Sequence, residues 1–260
     1  MKIAVTGKGG VGKTTFSSIL ARLYAAEGKK VLAVDADPDA NFGSALGYSP
    51  EELATITPIS ELDELIAERT GTGGESYGKL FKLNPKVDDI PDRFSLEKNG
   101  IKLLLLGTVD TGGSGCFCPE HVILKRLLSH LVIGRDEVVI MDMEAGLEHL
   151  GRGTAEMMDR FIVVIEPGER SIQTLQKIKT LAADLGVKQV SVVANKVRSK
   201  EDEDFLRGRI AAEDLLGFVH YSDECATADR KGSSPFDTGG SIIEEIKSIK
   251  ENIGSLTNAR

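Results

Sequence analysis

The chain has 260 residues, of which 41% are hydrophobic and 28% charged, and it carries a net charge of −8 with a pI near 5.2. The acidic balance disfavours a nucleic-acid surface, and no apolar run approaches the roughly 18 residues of a membrane-spanning helix. Three cysteines are too few, and odd in number, for a disulfide framework, which favours a cytoplasmic protein with reduced thiols. We expect one domain over residues 1–260, no signal peptide, and no membrane or nucleic-acid partner.

Six short runs of β-branched and apolar residues predict strands, the first of them near the N-terminus. They cover residues 3–5, 31–34, 101–106, 138–141, 161–165 and 190–194. Almost no polar alternation interrupts them, which is typical of a parallel sheet covered on both faces. Helical spacing covers residues 14–27, 119–132, 171–185, 201–212 and 241–256, with Gly28 and Gly186 placed as helix stops. This alternation predicts an α/β fold with a doubly wound, mostly parallel sheet.

Two segments depart from the alternation of strands and helices. Residues 49–99 are polar, interrupted by Gly and Pro, and only partly helical around residues 51–69. We interpret them as an irregular insertion over the sheet edge and not as a second domain. The terminal helix carries one apolar stripe and a polar face that mixes Glu with Lys, which favours docking on the protein over membrane targeting.

A glycine-rich segment joins the first predicted strand to the first predicted helix. Residues 7–15 satisfy the P-loop pattern in both spacing and context. In this pattern backbone N–H groups surround phosphate oxygens, Lys13 reaches the β- and γ-phosphates, and the Thr14 hydroxyl ligates Mg²⁺. We therefore predict that ATP or ADP, with Mg²⁺, binds to Gly7, Gly9, Gly10, Val11, Gly12, Lys13, Thr14 and Thr15.

A second lysine, Lys8, stands inside the loop where an ordinary P-loop tolerates many residue types. With this lysine the segment resembles the deviant P-loop (deviant Walker A) family, which contains the nitrogenase iron protein, MinD, the plasmid-partition ATPases and metallocentre-insertion ATPases. The resemblance implies a homodimer in the ATP state, in which Lys8 reaches the partner's nucleotide as an arginine finger does in other NTPases. A solvated loop lysine is the alternative interpretation.

Residues 34–41, at the end of the second predicted strand, resemble the first switch of that family. Asp37 matches the carboxylate that orients or deprotonates the attacking water, so the resemblance implies Lys8, Lys13 and Asp37 as catalytic residues. Asp39 has a less definite role, because a carboxylate after Pro38 can simply stabilise a turn.

Asp142 follows the strand predicted at residues 138–141, where it can hold the Mg²⁺ shell through water. Residues 142–146 match the D-x-x-x-G second switch of the family, in which the Gly146 amide contacts a γ-phosphate. Glu144 occupies a variable position of that motif. Carboxylates at strand ends are also common turn formers, so the P-loop is what makes this assignment specific.

Residues 195–198 follow the last predicted strand, where related NTPases bind the base. The Asn195 amide can pair with both donors and acceptors of adenine, and we include Lys196 in the same base site. An ordinary Asn-Lys turn is the alternative. Residues 221–230 are similar to the family's second base-proximal loop, and Cys225, which lies alone there, is interpreted as structural.

Cys116 and Cys118 distinguish the chain from a generic switch ATPase. Residues i and i+2 of an extended segment point to the same side, and Cys118 precedes Pro119, so its thiolate is favoured at a helix N-terminus. In the implied dimer the four sulfurs would form a set suited to Ni²⁺, Zn²⁺ or an iron–sulfur cluster, with Zn²⁺ able to replace nickel in vitro. Inert thiols that act as small hydrophobic side chains in a loop, and a redox dithiol, are the alternatives.

Over essentially its full length the chain resembles the CooC-type accessory ATPases of carbon monoxide dehydrogenase maturation. The resemblance rests on residues 7–15, 35–39, 116–118, 141–149, 165–167 and 195–198. It implies ATP-dependent nickel insertion into the active-site cluster of carbon monoxide dehydrogenase or, by a closely similar ATPase, of acetyl-CoA synthase. ATP would draw the two chains together and change the spacing of the four sulfurs, and hydrolysis would relax the dimer.

Three other functions share this fold. An electron-donating reductase like the nitrogenase iron protein has cluster cysteines far apart in sequence, unlike the pair found here. A carrier or scaffold for iron–sulfur clusters would use the same dimer and the same four sulfurs. A positioning ATPase like MinD or ParA needs a basic or amphipathic anchoring surface, which the acidic balance does not favour.

Overall fold

The computed structural model describes residues 1–71, 82–107, 119–133, 137–144, 155, 158–187 and 189–258. Its centre is an eight-stranded sheet. The strands are β1 Lys2–Thr6, β2 Val31–Ala36, β3 Leu96–Lys98, β4 Ile101–Leu105, β5 Val138–Met143, β6 Arg160–Ile165, β7 Val190–Val197 and β8 Leu215–His220. Their order is β3-β4-β2-β5-β1-β6-β7-β8, and every pair is parallel except β3 with β4. The doubly wound, mostly parallel α/β fold is confirmed.

Ten α-helices have bounds within the described part of the chain, and Ala155 is also helical. They are α1 Lys13–Ala26, α2 Phe42–Ala45, α3 Pro50–Leu53, α4 Asp63–Thr70, α5 Ile90–Arg93, α6 Pro119–Ile133, α7 Glu169–Asp184, α8 Lys200–Arg207, α9 Asp223–Arg230 and α10 Ser241–Asn258. Short 3₁₀ turns cover Ile59–Glu61 and Pro235–Thr238. Gly28 and Gly186 follow α1 and α7 with positive φ, as predicted for helix stops.

The two faces of the sheet are both covered, which explains why its strands lack polar alternation. Ile3 and Val5 point to the face on which α1 and α10 pack, whereas Ala4 between them points to the face covered by α4, α6 and α7. Each face buries a cluster of aliphatic and aromatic side chains. Because all strands except β3 run parallel, their carboxyl ends lie at one edge of the sheet.

The sequence missed two strands at the sheet edges. β3 is only three residues long and pairs antiparallel with β4, and β8 contains Gly217, which weakened its strand signal.

The helix predicted at residues 201–212 ends at Arg207 in the structure. Residues 221–230, expected to be a loop, contain α9, so the interpretation of Cys225 as a loop residue was wrong.

The segment at residues 49–99 contributes α3, α4, α5 and β3 in its described parts, separated by turns. Its last strand joins the main sheet, and Ile59, Leu65 and Ile90 lie in the same buried cluster as the sheet. The single-domain organisation itself stays a prediction. Among the described residues, none of the helices combines the length and the apolar character needed to cross a membrane.

Candidate active site

A cavity of about 610 Å³ opens where β1, β2, β7 and β8 end. The ends of parallel strands converge on the same edge, which is where open α/β sheets bind their ligands. Six of the predicted P-loop residues line it, namely Gly9, Gly10, Gly12, Lys13, Thr14 and Thr15. Asp37, Asn195 and Lys196 line it as well, so one cavity contains residues predicted to contact phosphate, water and base.

Two glycines of the P-loop are required by close approach and by backbone conformation. A Cβ on Gly7 would lie 2.3 Å from the carbonyl oxygen of Val164, and Gly7 has a φ of 150°. A Cβ on Gly12 would lie 2.2 Å from Asn195 Nδ2, and Gly12 has a φ of 94°. Val11 between them is fully buried. The loop therefore packs tightly against β6 and β7 and leads into the N-terminus of α1, which favours anions.

Lys13 and Asp37 form an ion pair across the cavity. Lys13 Nζ lies 3.8 Å from Asp37 Oδ2, and the two side chains are 7% and 17% exposed. The other oxygen of Asp37 accepts a hydrogen bond from the Asp39 backbone N–H at 3.1 Å. Asp37 thus shapes its own turn, a role that the sequence had suggested for Asp39. Phosphates that drew Lys13 away would free one oxygen of Asp37 for water.

Thr14, Ser17 and Asp142 form an oxygen-only cluster beside the P-loop. The hydroxyl of Thr14 donates to Asp142 Oδ2 at 2.5 Å, and the hydroxyl of Ser17 donates to Asp142 Oδ1 at 3.3 Å. Burial raises the pKa of Asp142 to about 7, since it disfavours the charged carboxylate. A cation would stabilise that charge, and Mg²⁺ prefers such oxygen ligands, so this donor set fits Mg²⁺.

Asp35 and Ser17 contribute to the site, although neither was predicted to be a site residue. Asp35 is buried at the end of β2, where its carboxylate accepts the N–H groups of Asp37 at 3.2 Å and Phe42 at 2.9 Å. Burial raises its pKa to about 6. Asp35 therefore holds the loop that carries Asp37. The spacing of Ser17 one turn after Thr14 on α1 was the available signal for a second hydroxyl.

Asn195 and Lys196 lie inside β7 and not in a loop after it, because the strand continues to Val197. Asn195 Nδ2 donates to the carbonyl of Val11 at 2.7 Å, and Lys196 Nζ donates to the carbonyl of Gly10 at 2.5 Å. Both side chains line the cavity and both also hold the P-loop, so their role in binding the base stays a prediction.

The end of β8 and the start of α9 add residues to the cavity that the sequence did not identify individually. His220, Tyr221, Ser222 and Cys225 line it. The Arg198 guanidinium stacks on the Tyr221 ring at 3.8 Å from its centroid. These positions fall within or beside the 221–230 segment, which had been interpreted as base-proximal.

Three predicted site residues, Cys116, Cys118 and Gly146, lie outside the described residues. Lys8 is described and exposed at the rim of the P-loop, so its assigned role in a dimer stays a prediction. Glu144 is also exposed, and its backbone carbonyl accepts a hydrogen bond from Thr6 at 2.7 Å. Within the described part of the chain, no three His, Cys, Asp or Glu side chains form a group that could hold a metal ion.

Comparison with known proteins places these features in a family. The profile of the CobQ/CobB/MinD/ParA nucleotide binding domain matches residues 2–236. The chain is 51% identical, over 237 residues, to the carbon monoxide dehydrogenase accessory protein CooC of Rhodospirillum rubrum, covering 91% of this chain and 90% of that protein. It is 45% identical to an uncharacterized ATP-binding protein of Methanocaldococcus jannaschii, covering 99% of each chain.

Solved structures show the same fold at low sequence identity. A plasmid partition protein from Borrelia burgdorferi, bound to AMPPNP, superposes with a TM-score of 0.70 at 17% identity, covering 98% of this chain and 99% of the other. MinD of Aquifex aeolicus, in its complex with MinC, gives a TM-score of 0.67 at 19% identity, covering 98% and 96%.

Proposed function

We propose that this chain, a P-loop ATPase that belongs to the CobQ/CobB/MinD/ParA nucleotide-binding family, hydrolyses ATP to assist nickel insertion into the active-site cluster of a client enzyme. The client is carbon monoxide dehydrogenase or acetyl-CoA synthase. The observation that carries this proposal is the 51% identity with the accessory protein CooC over nine-tenths of both chains. The Cys116 and Cys118 pair adds the soft ligands that a nickel cargo requires.

In the proposed hydrolysis, the P-loop holds the β- and γ-phosphates with its backbone N–H groups and with Lys13. Mg²⁺, held by Thr14 and through water by Asp142, would neutralise part of the phosphate charge. When Lys13 turns to the phosphates, its ion pair with Asp37 weakens and Asp37 Oδ2 becomes free to orient the attacking water. The Gly146 amide, which lies outside the described residues, would contact the γ-phosphate. Preorganised charge of this kind contributes most of the rate enhancement in phosphoryl transfer.

The nucleotide also controls assembly in this proposal. The exposed Lys8 of each chain reaches the nucleotide of its partner, so ATP favours the homodimer and ADP does not. Cys116 and Cys118 of both chains then hold nickel as cargo through four thiolates. Hydrolysis relaxes the dimer, alters the spacing of the sulfurs and lowers the affinity for the metal. The protein acts in the cytoplasm, without a nucleic-acid or membrane partner.

The first experiment measures Ni²⁺ binding by anaerobic calorimetry, with molecular mass determined in parallel, in ADP and in AMPPNP. The wild type should bind about one Ni²⁺ per two chains, with an affinity that changes with the nucleotide. The Cys116→Ala/Cys118→Ala variant should lose this binding. Cys225→Ala is the matched control, because it also removes a thiol. Cys225 lies on α9 at the nucleotide cavity, so this variant should leave the Ni²⁺ affinity unchanged.

Other outcomes would point to other functions. Ni²⁺ binding that ignores both the cysteine pair and the nucleotide would contradict nickel insertion and favour a positioning ATPase. Iron–sulfur absorption in anaerobically purified protein, lost with the cysteine pair, would favour a cluster carrier. Lys8→Ala should remove the AMPPNP-dependent rise in mass, and a dimer that persists in this variant would contradict the role of Lys8 in trans.

A further inference from the structure

Two adjacent side chains of β7 bond to two adjacent carbonyls of the P-loop. Asn195 Nδ2 donates to Val11, 184 positions away in sequence, and Lys196 Nζ donates to Gly10. Neighbouring side chains of a regular strand point to opposite faces, so a regular β7 could not present both to one loop. The pairing register of β7 with β8 shifts between Ala194 and Val197, and Lys196 has a φ of 57°. This irregularity turns both side chains towards the P-loop.

The direction of these hydrogen bonds matters for phosphate binding. In a trans peptide the C=O and N–H groups point in opposite directions. The hydrogen bond from Asn195 fixes the direction of the Val11 carbonyl, so the N–H of Gly12, in the same peptide group, points the opposite way. The hydrogen bond from Lys196 to the Gly10 carbonyl fixes the N–H of Val11 in the same manner. The N–H of Val11 makes a long bond, 3.4 Å, to the Lys8 carbonyl, which a phosphate oxygen can replace.

Packing and charge support the same arrangement. Asn195 is 8% exposed and occupies the space that a side chain at residue 12 would need. Lys196 Nζ lies 3.8 Å from Glu166 Oε2, which keeps the ammonium beside the Gly10 carbonyl. A lysine in the left-handed region is strained by about 1 kcal/mol or more, and such strain persists where the surrounding structure holds it.

We infer that Asn195 and Lys196 are positioning residues for the phosphate site, which hold the P-loop carbonyls outward so that its N–H groups face the phosphates. This assigns them a function beyond contact with the base. Asn195 donates one of its two side-chain N–H groups to the Val11 carbonyl, which leaves its side-chain carbonyl and its other N–H able to bind a base. One side chain thus links the base site to the phosphate site. The inference rests on the P-loop as the ATP site and not on nickel or a client.

Inorganic tripolyphosphate separates positioning from base contact, because it has phosphates and no base. Calorimetry would use protein free of transition metals in a buffer that contains Mg²⁺. It would compare the binding of tripolyphosphate with that of ATP in the wild type, Asn195→Ala and Lys196→Met. Loss of a hydrogen bond from a charged donor lowers affinity roughly tenfold, so Lys196→Met should lower the affinity for both tripolyphosphate and ATP by about tenfold. Asn195→Ala should also weaken both, and Lys196→Arg should restore most of the loss. Variants that weaken ATP alone would overturn the inference.

Two controls keep the result interpretable. Lys13→Ala should abolish tripolyphosphate binding, which locates the probe in the P-loop. Lys196 is 40% exposed, so Lys196→Met should unfold at nearly the wild-type temperature even if the buried Asn195→Ala is destabilised. Failure of the wild type to bind tripolyphosphate would count against both the P-loop site and the inference. Wild-type binding that both variants retain in full would count against the inference alone, whatever the outcome of the nickel experiment.

Discussion

The Thr14 hydroxyl donates a hydrogen bond to Asp142 Oδ2 over 2.5 Å, although 128 residues separate them in sequence. Thr14 lies in the first turn of α1 and Asp142 near the end of β5, and β5 pairs directly with β1. The strand order therefore brings a P-loop hydroxyl and a buried carboxylate together. This pair is the starting point for the Mg²⁺ prediction.

Thr14→Ala should lower kcat/KM for ATP by about a hundredfold in Mg²⁺, because the variant loses the hydroxyl that we propose as a Mg²⁺ ligand and phosphate charge is then less well neutralised. Steady-state phosphate release over a range of Mg²⁺ concentrations would measure this. Ser17→Ala is the matched control: its hydroxyl bonds the same carboxylate at 3.3 Å and should cost much less. Equal losses in the two variants would contradict the assignment of Thr14 as the Mg²⁺ ligand.

Asp37→Asn should lower kcat by about a hundredfold or more while the affinity for AMPPNP changes little, since in our proposal the carboxylate acts on water and not on the phosphates. The amide keeps the size of the side chain, and its oxygen can still accept from the Asp39 N–H. Single-turnover hydrolysis and AMPPNP calorimetry would separate the two effects. A loss of affinity as large as the loss of kcat would indicate that Asp37 only positions Lys13.

Gly12→Ala should abolish nucleotide binding, because its Cβ would lie 2.2 Å from Asn195 Nδ2 in a backbone with positive φ. Gly28→Ala is the control for the cost of placing alanine at a positive φ where no neighbouring atom is crowded. Gly28 has a φ of 78° with nothing within 4 Å of its Cβ, so this variant should lose about 1 kcal/mol of stability and keep full ATP affinity. ADP calorimetry and urea unfolding would measure both, and ADP binding by Gly12→Ala at wild-type strength would contradict the close packing.

Asp89 should make stability depend on pH in the acid range. Arg69 and Arg93 donate to its carboxylate and hold its pKa well below the ordinary value of 3.8. A depressed pKa stabilises the folded state above the unfolded pKa, and this contribution disappears as the pH falls through the folded pKa. Asp89→Asn should therefore lower the free energy of unfolding by about 1 kcal/mol at pH 7. In urea titrations the gap to the wild type should shrink below about pH 4, and a constant gap would contradict the prediction.

Local patterns were enough to predict the core of the site. The P-loop spacing, with a strand before it and a helix after it, predicted Gly7, Lys13 and Thr14 as phosphate-site residues, and the structure places Lys13 and Thr14 at the cavity. The pattern can be recognised locally because it depends on backbone constraints within a few residues. The same holds for the central strands, whose continuous apolar runs reflect burial on both faces. The cysteine pair is equally local, but it lies outside the described residues.

The contacts across the sheet could not be predicted in this way. Local spacing does not reveal that Asn195 holds the Val11 carbonyl, that Ser17 shares Asp142 with Thr14, or that β8 brings Tyr221 to the cavity. These contacts depend on strand order, on a register shift in β7 and on the left-handed residue within it. The sequence by itself determined which groups are predicted to bind phosphate and Mg²⁺. Only the tertiary structure decided which distant side chains hold them, because burial over the whole sheet sets the pairing of its strands.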